Sequence, residues 1–370
     1  MNKTKAKLNK KKFFIFIIFF TFSLVILLLE IISKKFILYN YGNKYSVRSN
    51  DIYKKYYTNV NHLRNPFEFT YDELIFTKIF SKNDKTSTSN VEILFQGDSW
   101  SEQFVSFKGS KDLITNFALN NNVNFYLAGT SSYSPSIYQA QLTMLIKNFN
   151  LDPKIIVVGI DQTDIGDELC RYKNKRSYIN GEIVVTPFKD PSEGFLYNMD
   201  NTFKRLDYLN SDKLSFIKLF LVSTLKIQEN YSIYKFGYKC NMLNIVNPLY
   251  GKITEDEKKY FSKVVFEYIE KVFSLNNISN LIIVTHPHRD HVLKKYKIDI
   301  KDIIKDTVSK NKNKEKIFIL NFNDELNLVL EKNSIETIFP INDPMHVSEY
   351  YHQNVYTEKI LEIIKNNFLK

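Results

Sequence analysis

Five short apolar runs, each followed by a stretch of helical or turn character, constrain this chain more than any other feature. They are VEILFQ (91–96), NFYLAGT (124–130), KIIVVGI (154–160), LIIVTH (281–286) and KIFILNF (316–322). A strand with one wet face alternates apolar and polar residues, whereas a strand covered on both faces reads as a continuous apolar run. Runs of this kind alternating with helices predict an α/β fold, a parallel sheet with helices on both faces. Ser136 to Asn148 supplies one such helix, with Ile137, Ala140, Met144 and Leu145 on one side. Thr254 and Glu257 form a capping box that opens a long helix to about Leu275, and a closing helix is expected over roughly 348–367. Residues from about 165 to 253 break the rhythm and read as an insertion. It holds Asn180-Gly181 as a hairpin turn and an amphipathic helix near 213–229. In parallel sheets the working residues gather at the carboxyl ends of the strands, so the residues just past each run are the candidates.

The amino terminus carries a different signal. Phe13 to Leu29 is apolar except for Thr21 and Ser23, and Ile31 and Ile32 extend it past Glu30. About 20 residues at 1.5 Å each cross a hydrocarbon core of about 30 Å, and a helix satisfies its own backbone polar groups there. Lys3, Lys5, Lys7, Lys10, Lys11 and Lys12 precede the run, and only Lys34 and Lys35 follow closely. The positive-inside rule then keeps the amino terminus in the cytoplasm and exports the rest. A cleaved signal peptide would be shorter and end in small residues, unlike the Glu30-to-Phe36 segment. The expected organisation is a basic tail (1–12), a single-pass transmembrane anchor (13–32), a juxtamembrane stalk and linker (36–90) and a catalytic domain (91–370).

The formal net charge is +11, which invites a nucleic-acid reading. The lysines are scattered, however, and the densest cluster adjoins the apolar segment. No zinc-finger spacing, RNA-binding signature or Gly-rich phosphate loop is present. The charge suits an anionic membrane or glycan surface, and nucleic acid is not an expected partner. Cys170 and Cys240 lack metal-ligand spacing; they either pair outside the cytoplasm or remain two thiols.

The first run ends in Gly97-Asp98-Ser99-Trp100. A serine at a strand-to-helix turn can raise its hydroxyl above the sheet, where the helix terminus offers N–H groups to a developing oxyanion. Asp98 or Ser99 can equally well just cap a helix. Near the carboxyl terminus stands Asp343-Pro344-Met345-His346. A serine hydroxyl needs a base within hydrogen-bond reach, and the base needs an orienting acceptor. His346 can be that base and Asp343 its acceptor, although a surface loop with an ordinary histidine has the same sequence.

Taken together, Gly-Asp-Ser after the first strand and Asp-x-x-His before the last helix resemble the SGNH/GDSL hydrolase family, over about residues 91 to 370. The resemblance implies a flavodoxin-like three-layer α/β/α sandwich and a serine mechanism on esters, with no cofactor and no metal. It implies Ser99 as nucleophile, His346 as base and Asp343 as its partner. The oxyanion hole would use the N–H groups of Ser99 and Gly129, the latter in LAGTSSYSP. The family's third block is Gly-x-Asn-Asp, and here Gly159-Ile160-Asp161-Gln162 stands in its place. An ionised Asp161 would repel the oxyanion. Either burial keeps Asp161 protonated, or Gln162 or Thr163 donates instead, or the hole is completed differently. Asp98 and Trp100 adjoin the nucleophile and are expected to line the substrate site.

One motif competes. His286-Pro287-His288-Arg289-Asp290-His291 matches the His-x-His-x-Asp-His signature of metallo-β-lactamase-fold hydrolases, a zinc-dependent reading in which His286, His288, Asp290 and His291 hold metal. That fold continues with glycines, whereas Val292-Leu293-Lys294-Lys295 follows here, and it places the motif early. Within the serine reading, His286, His288 and Arg289 lie at a strand end and would line the acyl or sugar pocket. The expected function is a serine esterase acting on O-acetyl or other ester groups of an extracytoplasmic carbohydrate. An O-acyltransferase with the same triad, or a non-catalytic assembly protein keeping the fold, are the alternatives.

Overall fold

A computed structural model describes residues 2–37, 64, 69–81, 91–185, 253–275, 277–286, 288–293, 299–330, 334–340, 343 and 345–369. The chain divides into two compact units. One holds Met1–Asp51, Asn65–Phe67 and Asp190–Gly237; the other holds Ile52–Arg64, Glu68–Lys189 and Tyr238–Lys370.

In the first unit, helix α1 covers Asn2–Ile37. Within it Phe13–Ser33 has a mean hydropathy of 2.9, and this stretch is long and apolar enough to cross a membrane. Its apolar side chains from Phe13 to Leu28 are exposed.

The second unit is built on a six-stranded sheet in the order β1-β3-β2-β4-β7-β8. The strands are β1 (Thr77–Ile79), β2 (Val91–Gln96), β3 (Val123–Leu127), β4 (Ile155–Gly159), β7 (Asn280–Thr285) and β8 (Ile317–Asn321). All neighbours pair in parallel except β1, which runs antiparallel along β3 with Lys78 opposite Tyr126. The five expected strands therefore form, with ends shifted by up to three residues. The stretch read as a stalk and linker contributes the sixth, β1, too short to announce itself by pattern.

Helices α2 (Ser99–Ser106) and α3 (Lys108–Asn121) follow β2, α4 (Pro135–Phe149) follows β3, and α5 (Gln162–Gly166) follows β4. Beyond them come α6 (Glu255–Ser274), α7 (Arg289–Val292), α8 (Ile300–Ser309), α9 (Phe322–Leu330) and α10 (Ile335–Ile338). The chain ends in α11 (Glu349–Tyr351), a π-helical turn (His352–Thr357) and α12 (Glu358–Phe368). Adjacent residues of a strand face opposite ways. Phe95 meets Phe104 of α2, with ring centroids 4.9 Å apart, while Gln96 bonds the Tyr138 carbonyl of α4 and the Tyr268 hydroxyl of α6. Helices thus cover both faces, and this is why β4 reads as an unbroken apolar run.

The chain leaves β2 for β3 on one side, then crosses back past β2 to β4, β7 and β8. That reversal falls at β2, and parallel sheets carry their sites at the carboxyl ends of strands beside such a reversal. The Asn180-Gly181 turn joins β5 (Arg176–Ile179) to β6 (Glu182–Val185), with positive φ at both turn residues (53° and 78°), as a tight hairpin requires. Thr254 caps α6 in the expected box with Glu257. The helix expected near 213–229, Cys240 and the side chain of Cys170 lie outside the described residues.

Candidate active site

Asp98 ends the first strand's turn as the cap of α2; its Oδ1 accepts the Trp100 N–H at 3.0 Å. The capping reading of Asp98 is therefore realised. Ser99 is the first residue of the helix, so its own N–H has no intrahelical acceptor. The turn is tight because Gly97 sits at φ +144°, a conformation that side chains rarely adopt, and a Cβ there would lie 2.0 Å from Ser101 Oγ. A Cβ on Gly129 would come within 2.3 Å of the Ser101 backbone carbon, so the first turn of α2 rests directly on the chain after β3.

The Ser99 hydroxyl donates to His346 Nε2 at 2.7 Å, and His346 Nδ1–H donates to Asp343 Oδ2 at 2.8 Å. Three side chains up to 247 positions apart thus form one relay. Asp343 Oδ1 also accepts the backbone N–H groups of Met345 (3.2 Å) and His346 (3.0 Å), which fixes the loop around its own carboxylate. Burial would raise the Asp343 carboxyl, but the His346 N–H and imidazole bring it below the usual carboxylate range. The loop is tied to the helix by Trp100, whose Nε1–H donates to the Met345 carbonyl at 3.0 Å. His346 and Asp343 keep 26% and 40% of their side-chain surface, so the relay is reachable from solvent.

The residues expected to line a substrate pocket are placed otherwise. Asp98, Trp100, His286 and His288 are each at most 2% exposed and form a sealed floor; Arg289, at the start of α7, is half-buried. The indole of Trp100 stacks on the His286 ring at 3.3 Å between centroids. As walls open to a substrate these four fail, because the loop after β7 folds inward between β4 and α2. The side chains of Asp290 and His291 lie outside the described residues.

The position that holds Asn in the family pattern is settled by its neighbours. Asp161 Oδ2 pairs with His288 Nε2 at 2.8 Å and lies 3.7 Å from His286 Nε2. Its Oδ1 accepts the Thr163 N–H and hydroxyl and the Asp164 N–H, capping α5. Burial would raise its pKa, but the flanking His288 and His286 hold it well below the usual range. Asp161 is thus not the protonated group that burial alone would make it. Buried Asp98 is raised well above the usual range, by desolvation first and then by the Asp161 charge. Nor does Thr163 offer a free donor, since its N–H and hydroxyl both go to Asp161; Gln162 is buried with its Oε1 accepting the Ile300 N–H.

Gly129 lies just past β3 against the first turn of α2, held by residues with no local signal in the sequence. The Ala128 carbonyl accepts from Gln141 Nε2 at 2.7 Å and from Thr130 Oγ1 at 3.2 Å. Because the peptide is planar, fixing that carbonyl fixes the Gly129 N–H. Gln141 is itself braced by Gln96, whose Nε2–H donates to Gln141 Oε1 at 2.8 Å, and Gln96 by the Tyr268 hydroxyl at 2.9 Å. Arg64, 1% exposed, donates to the carbonyls of Gly129 and Leu127 and to Thr77 Oγ1; burial lowers its pKa to about 10, so it stays charged. His352 donates Nε2–H to the Trp100 carbonyl at 3.2 Å and accepts the Ser110 hydroxyl at Nδ1, 2.8 Å. The polar Gln96 inside an apolar strand was the one legible hint of this scaffold.

No protein-family model matches the chain, and no curated protein does. Among solved structures the chain is similar to an acetyl xylan esterase from the rumen bacterium Butyrivibrio proteoclasticus, at 9% identity and a TM-score of 0.37. That match covers 76% of this chain, which spans 65% of the length of the esterase. An alpha/beta hydrolase enzyme from the metagenome of Lake Arreo, Spain, matches at 9% identity and a TM-score of 0.39, covering 77% of this chain and 98% of that one. A catalytic mutant of an acetylxylan esterase from Geobacillus stearothermophilus matches at 9% identity and 0.38, covering 76% and 97%. These are distant likenesses, and the chemistry of the site rests on its own geometry.

Proposed function

We propose that this chain is a membrane-anchored serine esterase of SGNH/GDSL type with a flavodoxin-like catalytic domain. The observation that carries the reading is the continuous relay of 2.7 and 2.8 Å from the Ser99 hydroxyl through His346 to Asp343. Ser99 Oγ attacks the ester carbonyl carbon while His346 Nε2 takes its proton, and ionised Asp343 stabilises the imidazolium. The charge that develops on the carbonyl oxygen meets the N–H groups of Ser99 and Gly129. Collapse of the tetrahedral intermediate expels the alcohol, which leaves with the proton from His346. Water, activated by the same imidazole, then releases the acid and restores Ser99. Asp161 is not part of this hole, because a carboxylate there would oppose the oxyanion.

The substrate we infer is an O-acetylated carbohydrate outside the cytoplasmic membrane. That inference rests on the charge asymmetry around α1, which favours export of everything after it, and on the family resemblance. The test is hydrolysis of a short-chain aryl acetate by the full chain in detergent, beside Ser99→Ala. The expected result is a loss of at least about a hundredfold in the variant with unchanged folding. Equal rates, or no turnover by either protein, would discard the esterase. Adding a sugar acceptor separates water from a sugar hydroxyl as the acyl acceptor, by the ratio of free acetate to acetylated sugar.

A further inference from the structure

Beneath the serine relay lies a group that the esterase chemistry does not use. Val284 pairs with Gly159 across the β4–β7 ladder. Two residues beyond that pair, the neighbouring strands deliver His286 and Asp161 side by side, and His288 follows on the same loop. One donor atom from each of the three lies within 4.8 Å of the other two.

We propose that Asp161, His286 and His288 bind one divalent transition-metal ion of the zinc class. Four observations carry this. First, a tetrahedral zinc with bonds of about 2.0–2.1 Å needs donors about 3.3 Å apart. The Asp161 Oδ2 separations of 2.8 Å to His288 and 3.7 Å to His286 bracket that value, and all three donors lie within 4.8 Å of one another, so they can supply three of the four bonds after small shifts. Second, both ring nitrogens of His286 are buried without a hydrogen-bond partner. A buried imidazole left unpaired is destabilised, and a metal at Nε2 gives that nitrogen a partner. Third, the Asp161 carboxylate is already divided as a ligand would be: Oδ1 is consumed by Thr163 and Asp164, while Oδ2 faces the two imidazoles. Fourth, Asp98 and Asp164 cluster with Asp161 in an equally close group, so a cation here offsets carboxylates crowded out of water.

The donor set chooses the ion. Two imidazoles and one carboxylate suit zinc and its neighbours, whereas calcium and magnesium take shells of oxygens. The site is sealed, so the ion would lock the turns after β4 and β7 under the first turn of α2 rather than meet substrate. The inference does not depend on Ser99 being a nucleophile, and it adds a metal where the serine reading of the sequence assigned none.

The test uses the full chain in detergent, stripped with a chelator and dialysed against Zn²⁺, with bound metal measured by elemental analysis. We expect about one equivalent in the wild type and in His346→Ala, which breaks the serine relay alone. His286→Phe keeps a ring against Trp100 and removes the ligand; there, and in His288→Asn, affinity should fall at least about a hundredfold. Absence of stoichiometric zinc in the wild type, or full retention in both variants, would overturn the proposal. Should either variant fail to fold, Co²⁺ loading of the wild type decides. Intense visible bands of a four-coordinate ion uphold the site, and the weak bands of an octahedral ion, or none, refute it. Zinc should also raise the wild-type melting temperature while Mg²⁺ and Ca²⁺ leave it unmoved.

Discussion

Asp343 grips its own histidine from two directions, the backbone N–H at one oxygen and the imidazole at the other. An amide in its place would keep the first contact and reverse the second. The Asn NH₂ would face Nδ1, the ring would carry its proton on Nε2, and Nε2 could no longer receive the Ser99 proton. Asp343→Asn is therefore expected to lower kcat on an aryl acetate by roughly 10³–10⁴-fold while melting within a few degrees of the wild type. An unaltered kcat would show that the carboxylate does not set the tautomer. Gly129 makes a different demand, one of space. A methyl group 2.3 Å from the Ser101 backbone carbon must push α2 or the chain after β3 aside. Gly129→Ala should lose about 1–3 kcal/mol in urea denaturation, together with activity, because the displaced atoms belong to the Ser99 turn. Full stability in that variant would mean the turn yields more easily than its packing suggests.

At the level of elements, α2 is held from both ends of the sequence. Its first turn rests on Gly129, its Trp100 indole reaches the Met345 carbonyl, and its Trp100 carbonyl receives His352 from the π-helical turn before α12. Burial pushes the His352 imidazole from 6.5 down to about 3, so it is neutral in the folded protein over most of the acid range. The unfolded chain protonates this ring near pH 6.5 and the folded one only near pH 3, so stability falls as pH falls between those values. His352→Gln removes one such titration. The difference in unfolding free energy between wild type and variant should shrink from pH 7 to pH 5, by at most ~1.4 kcal/mol per pH unit. Parallel profiles would place the acid sensitivity elsewhere. The strands, α4, α6, the hairpin turn and both halves of the serine relay were legible because each is written in consecutive residues: an apolar run, a capping box, Asn-Gly, Gly-Asp-Ser, Asp-x-x-His. Strand β1, Arg64, Gln141 and the role of His352 were not. Each acts through partners dozens to hundreds of positions away, and three-residue strands and single buried polar groups have no period to detect. The departure at Asp161 was visible as a wrong residue type, but its partner His288, 127 positions on, was not.

For the whole chain, the proposed topology places α1 across the membrane and the sheet outside it. The full chain should remain in the membrane pellet after an alkaline carbonate wash, and a carboxyl-terminal tag should be digested when protease is added to intact spheroplasts. Release by carbonate, or a tag protected until lysis, would contradict an anchored, exported protein. The order of the sheet also sets a schedule for chemistry. All five parallel strands are complete by Asn321, yet the base and its carboxylate arrive only at residues 343 and 346. A nascent chain thus carries Ser99 through 247 positions before His346 is made, without anything to awaken it. On the proposed mechanism, a product cut short before Asp343 and His346 holds the serine without its base and stays inert.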